Sequence, residues 1–197
     1  VAMQEQLDVT EPKWMPAECD SMMSECWFYS DADEENVKSL DLLMGQYYYS
    51  VGRGCNMLLN IGPDRRGLLP EKCAARLVEF GREVQRRFAN PLAKLADFEA
   101  VQENKWKFTA PQHPFVLDHV VIQEDILKGE HVRKFSVRVD TSPRHHSEPV
   151  LVHEGYGIGH KAICKFQPIR ASQVFVEILE ADGPVNVRSI EIFDSTA

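Results

Sequence analysis

The spacing of apolar residues changes along the chain and divides it into two parts. From Ser39 to Val51, apolar residues recur every three or four positions, which predicts an amphipathic helix with Ser39 as its N-cap. The short apolar run 57–61 is bounded by glycines and predicts a buried strand of a parallel sheet. A second helix is predicted from Pro70 to about Phe88. This order of strand, helix, strand and helix is typical of a (β/α) barrel or a doubly wound sheet.

The second half of the chain follows a different pattern. Apolar and polar residues alternate at 135–140, and residues 174–179 also have the pattern of a strand, while a slip at Arg188-Ser189 suggests a β-bulge. Glycine- and proline-rich turn signals separate these short segments, which indicates an antiparallel β-sandwich. We therefore predict an α/β plus all-β chain, in which residues 1–91 belong to the α/β part and residues 92–197 form the sandwich.

The composition narrows the classes of partner. Hydrophobic residues make up 44% of the 197 residues and charged residues 26%, which is ordinary for a folded globular protein. The formal net charge is −8, so the chain lacks the basic excess that nucleic acids and anionic membranes attract. A neutral partner such as a sugar fits this balance better. No run approaches the eighteen apolar residues of a membrane-spanning helix.

Cysteine and histidine offer little sign of a metal site. The five cysteines form no CxxC pair, so a zinc site is not expected, and free buried thiols are favoured over a disulfide framework. His145, His146 and His153 have a spacing that fits no common metal site, and we expect them to be exposed loop histidines.

The densest group of candidate functional residues lies near the start of the chain. The apolar run 14–17 predicts a short strand, and Glu18 and Asp20 follow it. In a barrel, residues at the carboxyl ends of the strands face the active site, and Trp27 could offer an aromatic platform to the apolar face of a sugar. An acidic pair after a strand is also often a helix cap or a loop anchor, so both readings stay open.

These motifs carry a resemblance to a known family. The stretch W-x-P-A-E-C-D at 14–20, the W-F-Y at 27–29, the Y-Y-x-S-V-G-R at 47–53 and the L-L-N-I-x-P-D-R-R-G-L at 58–68 closely resemble glycoside hydrolase family 29, the α-L-fucosidases. The chain is most similar to the plant and bacterial branch that acts on α-1,3- and α-1,4-linked fucose. The second half also resembles the C-terminal sandwich of that family, so the chain is identified as a C-terminal portion.

The resemblance implies a fold and a chemistry. Residues 1–91 would be the end of a (β/α)8, or TIM, barrel, and residues 92–197 a galactose-binding-like sandwich, or jelly roll. The enzyme would be a retaining glycosidase that uses two carboxylates, without a metal or organic cofactor. Its nucleophilic aspartate would lie upstream of this chain, so an N-terminal barrel portion or a companion chain is an expected partner. The family also favours an extracellular or periplasmic location.

The resemblance leaves two possible roles open for several residues. Glu18 is either the acid/base or a second carboxylate that contacts the sugar, and Asp20 and Trp27 are candidate substrate-binding residues. Arg53 could contact the barrel mouth or complete a helix dipole, and Asn60 could bind ligand or brace the next loop.

The chain departs from the family pattern in one place. Where the family has S-I-R-P-G-W, this chain has Met22 to Trp27, with Ser24 at the position of the arginine. The linkage preference is therefore open. A catalytically inactive carbohydrate-binding or assembly module is the alternative to an enzyme.

Overall fold

A computed structural model describes residues 16–32, 35–141 and 148–196. The described residues form mostly β-sheet, together with two α-helices. The first part contains one strand and one helix, followed by a second strand and a second helix. These elements are β1 (Glu18–Met22), α1 (Leu40–Tyr49), β2 (Asn56–Asn60) and α2 (Glu71–Phe88).

The first part is a parallel β-α-β unit followed by the second helix. Strand β1 pairs with β2 in parallel, and Glu18 lies opposite Asn56 while Met22 lies opposite Asn60. Helix α1 begins as the sequence predicts, because the Ser39 hydroxyl accepts a hydrogen bond from the Leu42 amide at 3.2 Å. Both helices lie on one face of the strand pair, where a small apolar cluster is buried. The cluster comprises Met23, Leu43 and Cys73, with Val37, Leu59, Ile61 and Phe80 packed against it.

The predicted position of the first strand was wrong. The strand was expected in the apolar run 14–17, but it covers Glu18–Met22, and Trp14 and Met15 lie outside the described residues. The pairing with β2 determines its position, because the register begins at Glu18 and the Asn56 amide donates to the Ala17 carbonyl at 2.8 Å. Glu18 therefore begins the strand and does not follow it.

The second part consists of two antiparallel sheets. One has five strands in the order β4-β5-β10-β7-β8, and the other has four in the order β3-β11-β6-β9. The strands are β3 (Ala93–Lys94), β4 (Glu99–Gln102), β5 (Lys105–Thr109), β6 (Phe115–Glu124), β7 (Val132–Asp140), β8 (Val150–Gly155), β9 (Ala162–Ala171), β10 (Gln173–Ala181) and β11 (Val187–Phe193).

The two sheets enclose the main hydrophobic core between them. The five-stranded sheet contributes Phe135, Val137 and Val176, and the four-stranded sheet contributes Leu117 and Ile190, all at most 1% exposed. This arrangement is a β-sandwich, as the alternating pattern predicts. The expected β-bulge is confirmed, since the register of β11 against β6 shifts between residues 187 and 189.

The helices pack against the outer face of the four-stranded sheet. Alternation along β6, β9 and β11 turns Val121, Ile163 and Phe193 away from the sandwich core and towards the helices. Tyr47, Tyr48 and Phe88 cover them from the helical side, and the ring centroids of Phe88 and Phe193 lie 5.4 Å apart. This third cluster joins the α/β part to the sandwich.

Candidate functional site

The face of the β1-β2 pair opposite the helices is largely exposed and carries polar side chains together with Leu58, which is 48% exposed. Side chains alternate between the two faces of a strand, and Leu59 packs with the helices, so Glu18, Asp20 and Asn56 lie on the other face. All three are exposed. The Asn56 side-chain amide donates to Glu18 Oε2 at 3.2 Å. Two carboxylates and an amide thus share one solvent-accessible face.

Glu18 and Asp20 lie deeper along the strands than the sequence predicts. Glu18 is at the first position of β1 and Asp20 is at the third. Four residue steps of about 3.3 Å separate Glu18 from Met22 at the carboxyl end, a distance of about 13 Å. The expectation that both acidic residues follow the strand was wrong, because the strand begins later than its apolar pattern suggested.

Trp27 and Asn60 meet at the carboxyl edge of the strand pair. The Asn60 side-chain amide donates to the Trp27 carbonyl oxygen at 2.8 Å, and the Met23 amide donates to the Asn60 carbonyl at 2.9 Å. Asn60 therefore braces the loop that carries Trp27. The Trp27 side chain remains 46% exposed and the neighbouring Phe28 85% exposed, so this loop presents aromatic surface to solvent.

Glycine is required where this loop meets the loop after β2. A Cβ atom on Gly62 would lie 2.5 Å from the Tyr29 backbone nitrogen, a separation that real Cβ atoms essentially never show. The close approach of the two backbones holds the aromatic segment against the end of β2.

Charged side chains fix the loops at this edge. Arg65 pairs with Asp31 at 2.7 Å, linking the loop after β2 to the loop after β1. The Asp64 carboxylate accepts hydrogen bonds from the Arg66 side chain and from the backbone amides of Arg66 and Leu68. The Arg66 hydrogen bond is the main reason that the pKa of Asp64 lies below its usual value.

Arg53 lies at the opposite edge from Trp27 and Asn60. It follows α1 and precedes β2, so it lies at the amino end of the strand. Its guanidinium group stacks over the Tyr49 ring at 4.0 Å, and its backbone forms a bridge with Ala162 of the sandwich. The suggestion that Arg53 contacts the same mouth as Trp27 does not hold in this chain.

The cysteines and histidines differ in part from expectation. The five cysteines lie outside disulfides, and Cys73 and Cys164 are buried as predicted, but Cys26 is exposed in the loop before Trp27. His153 is not an exposed loop residue: it lies in β8, is half-buried and stacks on Phe135 with centroids 5.8 Å apart. Burial lowers the pKa of His153. His145 and His146 lie outside the described residues.

The part of the chain that the structure describes contains neither a group of metal-binding side chains nor a membrane-spanning helix. Within 16–32, 35–141 and 148–196, no three His, Cys, Asp or Glu side chains form a group that could hold a metal ion. In the same ranges, no helix is long and apolar enough to cross a membrane.

Sequence reasoning missed Asn56. Its signal is the parallel register, which puts it opposite Glu18, and that register was not deducible from either strand alone. The residue gives Glu18 a direct side-chain partner on the neighbouring strand.

Comparisons with known proteins find similarity to the α-L-fucosidases. The family model for Alpha-L-fucosidase matches residues 2–87. Alpha-L-fucosidase 1 of Arabidopsis thaliana is 29% identical over 184 residues, covering 78% of this chain and 35% of the plant protein. The chain thus spans about a third of the length of the curated relatives that it matches.

Solved structures agree with this match. One solved structure is that of a Bacteroides thetaiotaomicron protein named as an α-L-fucosidase. It superposes on this chain with a TM-score of 0.82 at 28% identity. The match covers 92% of this chain and 41% of that protein. A glycoside hydrolase 29 family member from an unknown rumen bacterium has the same fold, with a TM-score of 0.84 at 24% identity over 92% of this chain and 33% of its own. The chain is therefore similar in sequence and in fold to part of the α-L-fucosidases.

Proposed function

We propose that this chain is part of a retaining α-L-fucosidase that hydrolyses terminal α-L-fucose, α-1,3- or α-1,4-linked, from glycans. The observation that carries the proposal is the exposed face of the β1-β2 pair, where Glu18, Asp20 and Asn56 lie together. In a (β/α)8 barrel the face of the strands opposite the helices lines the interior, and the active site forms at the carboxyl ends of the strands.

The strand pair requires further strands to form such a site. Among the described residues, neither β1 nor β2 pairs with a second strand on its outer edge. Parallel strands are normally covered on both faces and belong to larger sheets. We propose that these 197 residues supply the last strands of a (β/α)8 barrel, with residues 92–197 as a separate, galactose-binding-like sandwich domain. An N-terminal portion or a companion chain would complete the barrel.

The chemistry would follow from two carboxylates. In a retaining glycosidase one carboxylate attacks the anomeric carbon and the other protonates the leaving oxygen, then activates water. The nucleophile would be an aspartate outside this chain. Glu18 would contact the sugar or act as the acid/base, with Asp20 on the same face as a second contact. This chemistry needs no metal or organic cofactor.

Trp27 and Asn60 would have different tasks at the carboxyl edge. The exposed indole of Trp27 can offer an apolar surface to the C–H groups of a sugar ring. Asn60 would hold the Trp27 loop through its 2.8 Å hydrogen bond, so we regard it as a positioning residue. Arg53 would act at the opposite edge of the β-α-β unit, at the amino end of β2.

Activity measurements on an aryl α-L-fucoside test this proposal. The 197-residue chain alone should give no turnover, because it lacks the nucleophile. The same chain together with the polypeptide encoded upstream should hydrolyse the substrate with retention of configuration, which NMR of the first-formed fucose reports. Turnover by the chain alone, or inversion by the complete protein, would contradict the mechanism.

The departure from the family pattern supports a second candidate, a fucosidase-like binding or assembly module without catalysis. Ser24 stands where the family has an arginine, and it is buried, with 8% of its surface exposed. A complete protein that binds fucose but never releases it from an aryl glycoside would favour this candidate. An upstream strand that lacks its aspartate would favour it as well.

A further inference from the structure

A cleft of about 970 Å³ lies between the α/β part and the sandwich. The loop between α1 and β2 forms one wall, and the loops after β6 and β8 together with the start of β9 form the other. Cys55 and Asn56 also line it, so the cleft opens on the amino side of the strand pair, away from Trp27 and Asn60. Its volume is at the upper end of the range typical of small-molecule sites.

Backbone hydrogen bonds hold both walls of this junction cleft in place. The Ile163 amide donates to the Gly52 carbonyl at 2.9 Å, which ties the α1-β2 loop to the sandwich. On the other wall, the buried Glu124 carboxylate accepts from the amides of His131, Val132 and Gly159 at 2.8–3.1 Å. The loops after β6 and β8 are therefore fastened to one anchor, and the cleft is preformed.

Two tyrosine rings project into the cleft. Tyr156 is 78% exposed and Tyr49 is 67% exposed, although both belong to walls that hydrogen bonds hold in place. Arg53 stacks on the Tyr49 ring at 4.0 Å, and Lys134 Nζ lies 5.7 Å from the Tyr156 ring centroid. These cations fix the orientation of the rings and leave apolar ring surface available to a ligand.

The charged groups of the cleft are balanced. Arg53 and Lys165 lie in the lining and can donate hydrogen bonds, and Lys165 Nζ also lies 4.8 Å from the Tyr48 ring centroid. Glu130 and Glu154 lie on the other wall as acceptors, and Glu154 also pairs with Lys134 at 3.1 Å. A lining with two cations and two carboxylates has little preference for a charged ligand. It suits a molecule whose groups both donate and accept hydrogen bonds.

We propose that the junction cleft binds a neutral saccharide of two or three rings. The hydroxyl groups of a saccharide can accept from Arg53 and Lys165 and donate to Glu130, while its C–H faces stack on Tyr156 and Tyr49. The proposal concerns a saccharide without fucose and does not depend on hydrolysis. Its failure therefore leaves the proposed fucosidase chemistry untouched, and the reverse also holds.

An NMR titration of the full 197-residue chain with lactose and with cellotriose tests this site. We expect saturable shifts of the Gly157 and Gly159 amides with at least one of these sugars. Tyr156→Ala should weaken binding about threefold to tenfold, since one stacking contact is lost. Leu127→Ala, at a residue of the loop after β6 that is 94% exposed and outside the cleft lining, should not change it.

A second comparison tests the polar contacts. Arg53→Gln should weaken binding of the same sugar, whereas Arg82→Gln on the surface of α2 removes the same charge without effect. No shifts with either sugar, equal effects of Tyr156→Ala and Leu127→Ala, or tighter binding of a sulfated disaccharide than of lactose would overturn the proposal. Loss of binding when the upstream polypeptide is present would also overturn it, because the cleft would then hold protein.

Discussion

The Tyr48 hydroxyl lies 2.8 Å from His119 Nε2, and this contact joins helix α1 to strand β6 of the sandwich. The two rings are stacked, with centroids 5.5 Å apart. On the other side of the imidazole, His119 Nδ1 lies 2.6 Å from the Asp118 carboxylate. His119 is fully buried, so the contact is shielded from water.

The partners of these residues extend the contact into a chain. Arg87 of α2 donates to the Tyr48 hydroxyl at 2.8 Å and pairs with Glu83. Asp118 also accepts hydrogen bonds from the Ser195 amide and hydroxyl. The hydrogen bonds assign the protons: Nδ1–H of His119 donates to Asp118, and Nε2 accepts from Tyr48. Two helices, one strand and the C-terminal residues are thereby joined.

Removing the Tyr48 hydroxyl should destabilise the protein. Tyr48→Phe leaves the buried Nε2 of His119 without its donor, which typically costs about 1–3 kcal/mol of the free energy of unfolding. Tyr49→Phe is the matched control, because it makes the same change at the next residue, where the side chain is 67% exposed. Urea unfolding followed by circular dichroism measures both. Equal losses in the two variants would contradict a special role for the Tyr48–His119 contact.

Stability should fall as the pH is lowered below about 6.5. Burial is the main reason that the pKa of His119 lies below its usual value, although Asp118 opposes the shift. The unfolded chain then binds a proton at a higher pH than the folded chain does. The stabilisation is complete above the unfolded pKa of about 6.5 and is lost as the pH falls towards the folded pKa. Melting temperatures between about pH 7.5 and pH 5 measure this slope.

His153 contributes with the same sign, since burial lowers its pKa as well. The slope should therefore decrease in His119→Gln, decrease in His153→Gln, and nearly disappear in the double variant. The Asp118 carboxylate acts at lower pH: hydrogen bonds from Ser195 and His119 outweigh its burial and lower its pKa. Its contribution is lost only below about pH 4. An unchanged slope in the double variant would show that other groups control acid stability.

The sandwich, residues 92–197, should fold without the α/β part. It contains its own core between two sheets and has a usual domain size. Removing the helices exposes Val121, Ile163 and Phe193, because the third cluster loses its helical side. We expect a cooperative melt together with some binding of a hydrophobic dye. A non-cooperative melt would show that the helices are needed for folding.

The elements that depend on local pattern were well predicted from the sequence. Helix α1 has its N-cap at Ser39, and the bulge in β11 lies where the alternation slips. The first strand was misplaced because its five residues, Glu18–Met22, are stabilised by pairing with β2 and not by an apolar alternation. The face of β1 that the helices cover carries only the small residues Cys19 and Ser21, so no large apolar residues alternate with the acidic ones.

The candidate site was likewise predicted only in part from the sequence. Trp27 and Asn60 lie together at one edge as expected for residues near strand ends. Arg53 was also a candidate for substrate binding, but the parallel direction of the strands puts the α1-β2 loop, which carries it, at the other edge. The Tyr48–His119 contact was not predictable, because 71 residues separate its partners in the chain.

The substitution Glu18→Gln in the complete enzyme tests the role of this carboxylate. We expect Glu18 to contact the sugar and not to protonate the leaving group, with the Asn56 amide holding its carboxylate in place. The loss of kcat/KM should then be similar for an aryl fucoside with a good leaving group and for a fucosylated oligosaccharide with a poor one. Asn56→Ala should reproduce part of this loss, because it frees the carboxylate.

If Glu18 is instead the acid/base, we expect a different result for the same variant. Glu18→Gln would then lower the rate by roughly 10²–10⁴ on the oligosaccharide and by much less on the aryl fucoside, whose leaving group needs no proton. Glu79→Gln is the control, since Glu79 forms an exposed ion pair with Arg76 on α2 and should leave both rates unchanged. Steady-state kinetics on the two substrates separates these cases. If Glu18→Gln behaves like Glu79→Gln, Glu18 does not belong to the site, and the polar face of β1 must act through Asp20.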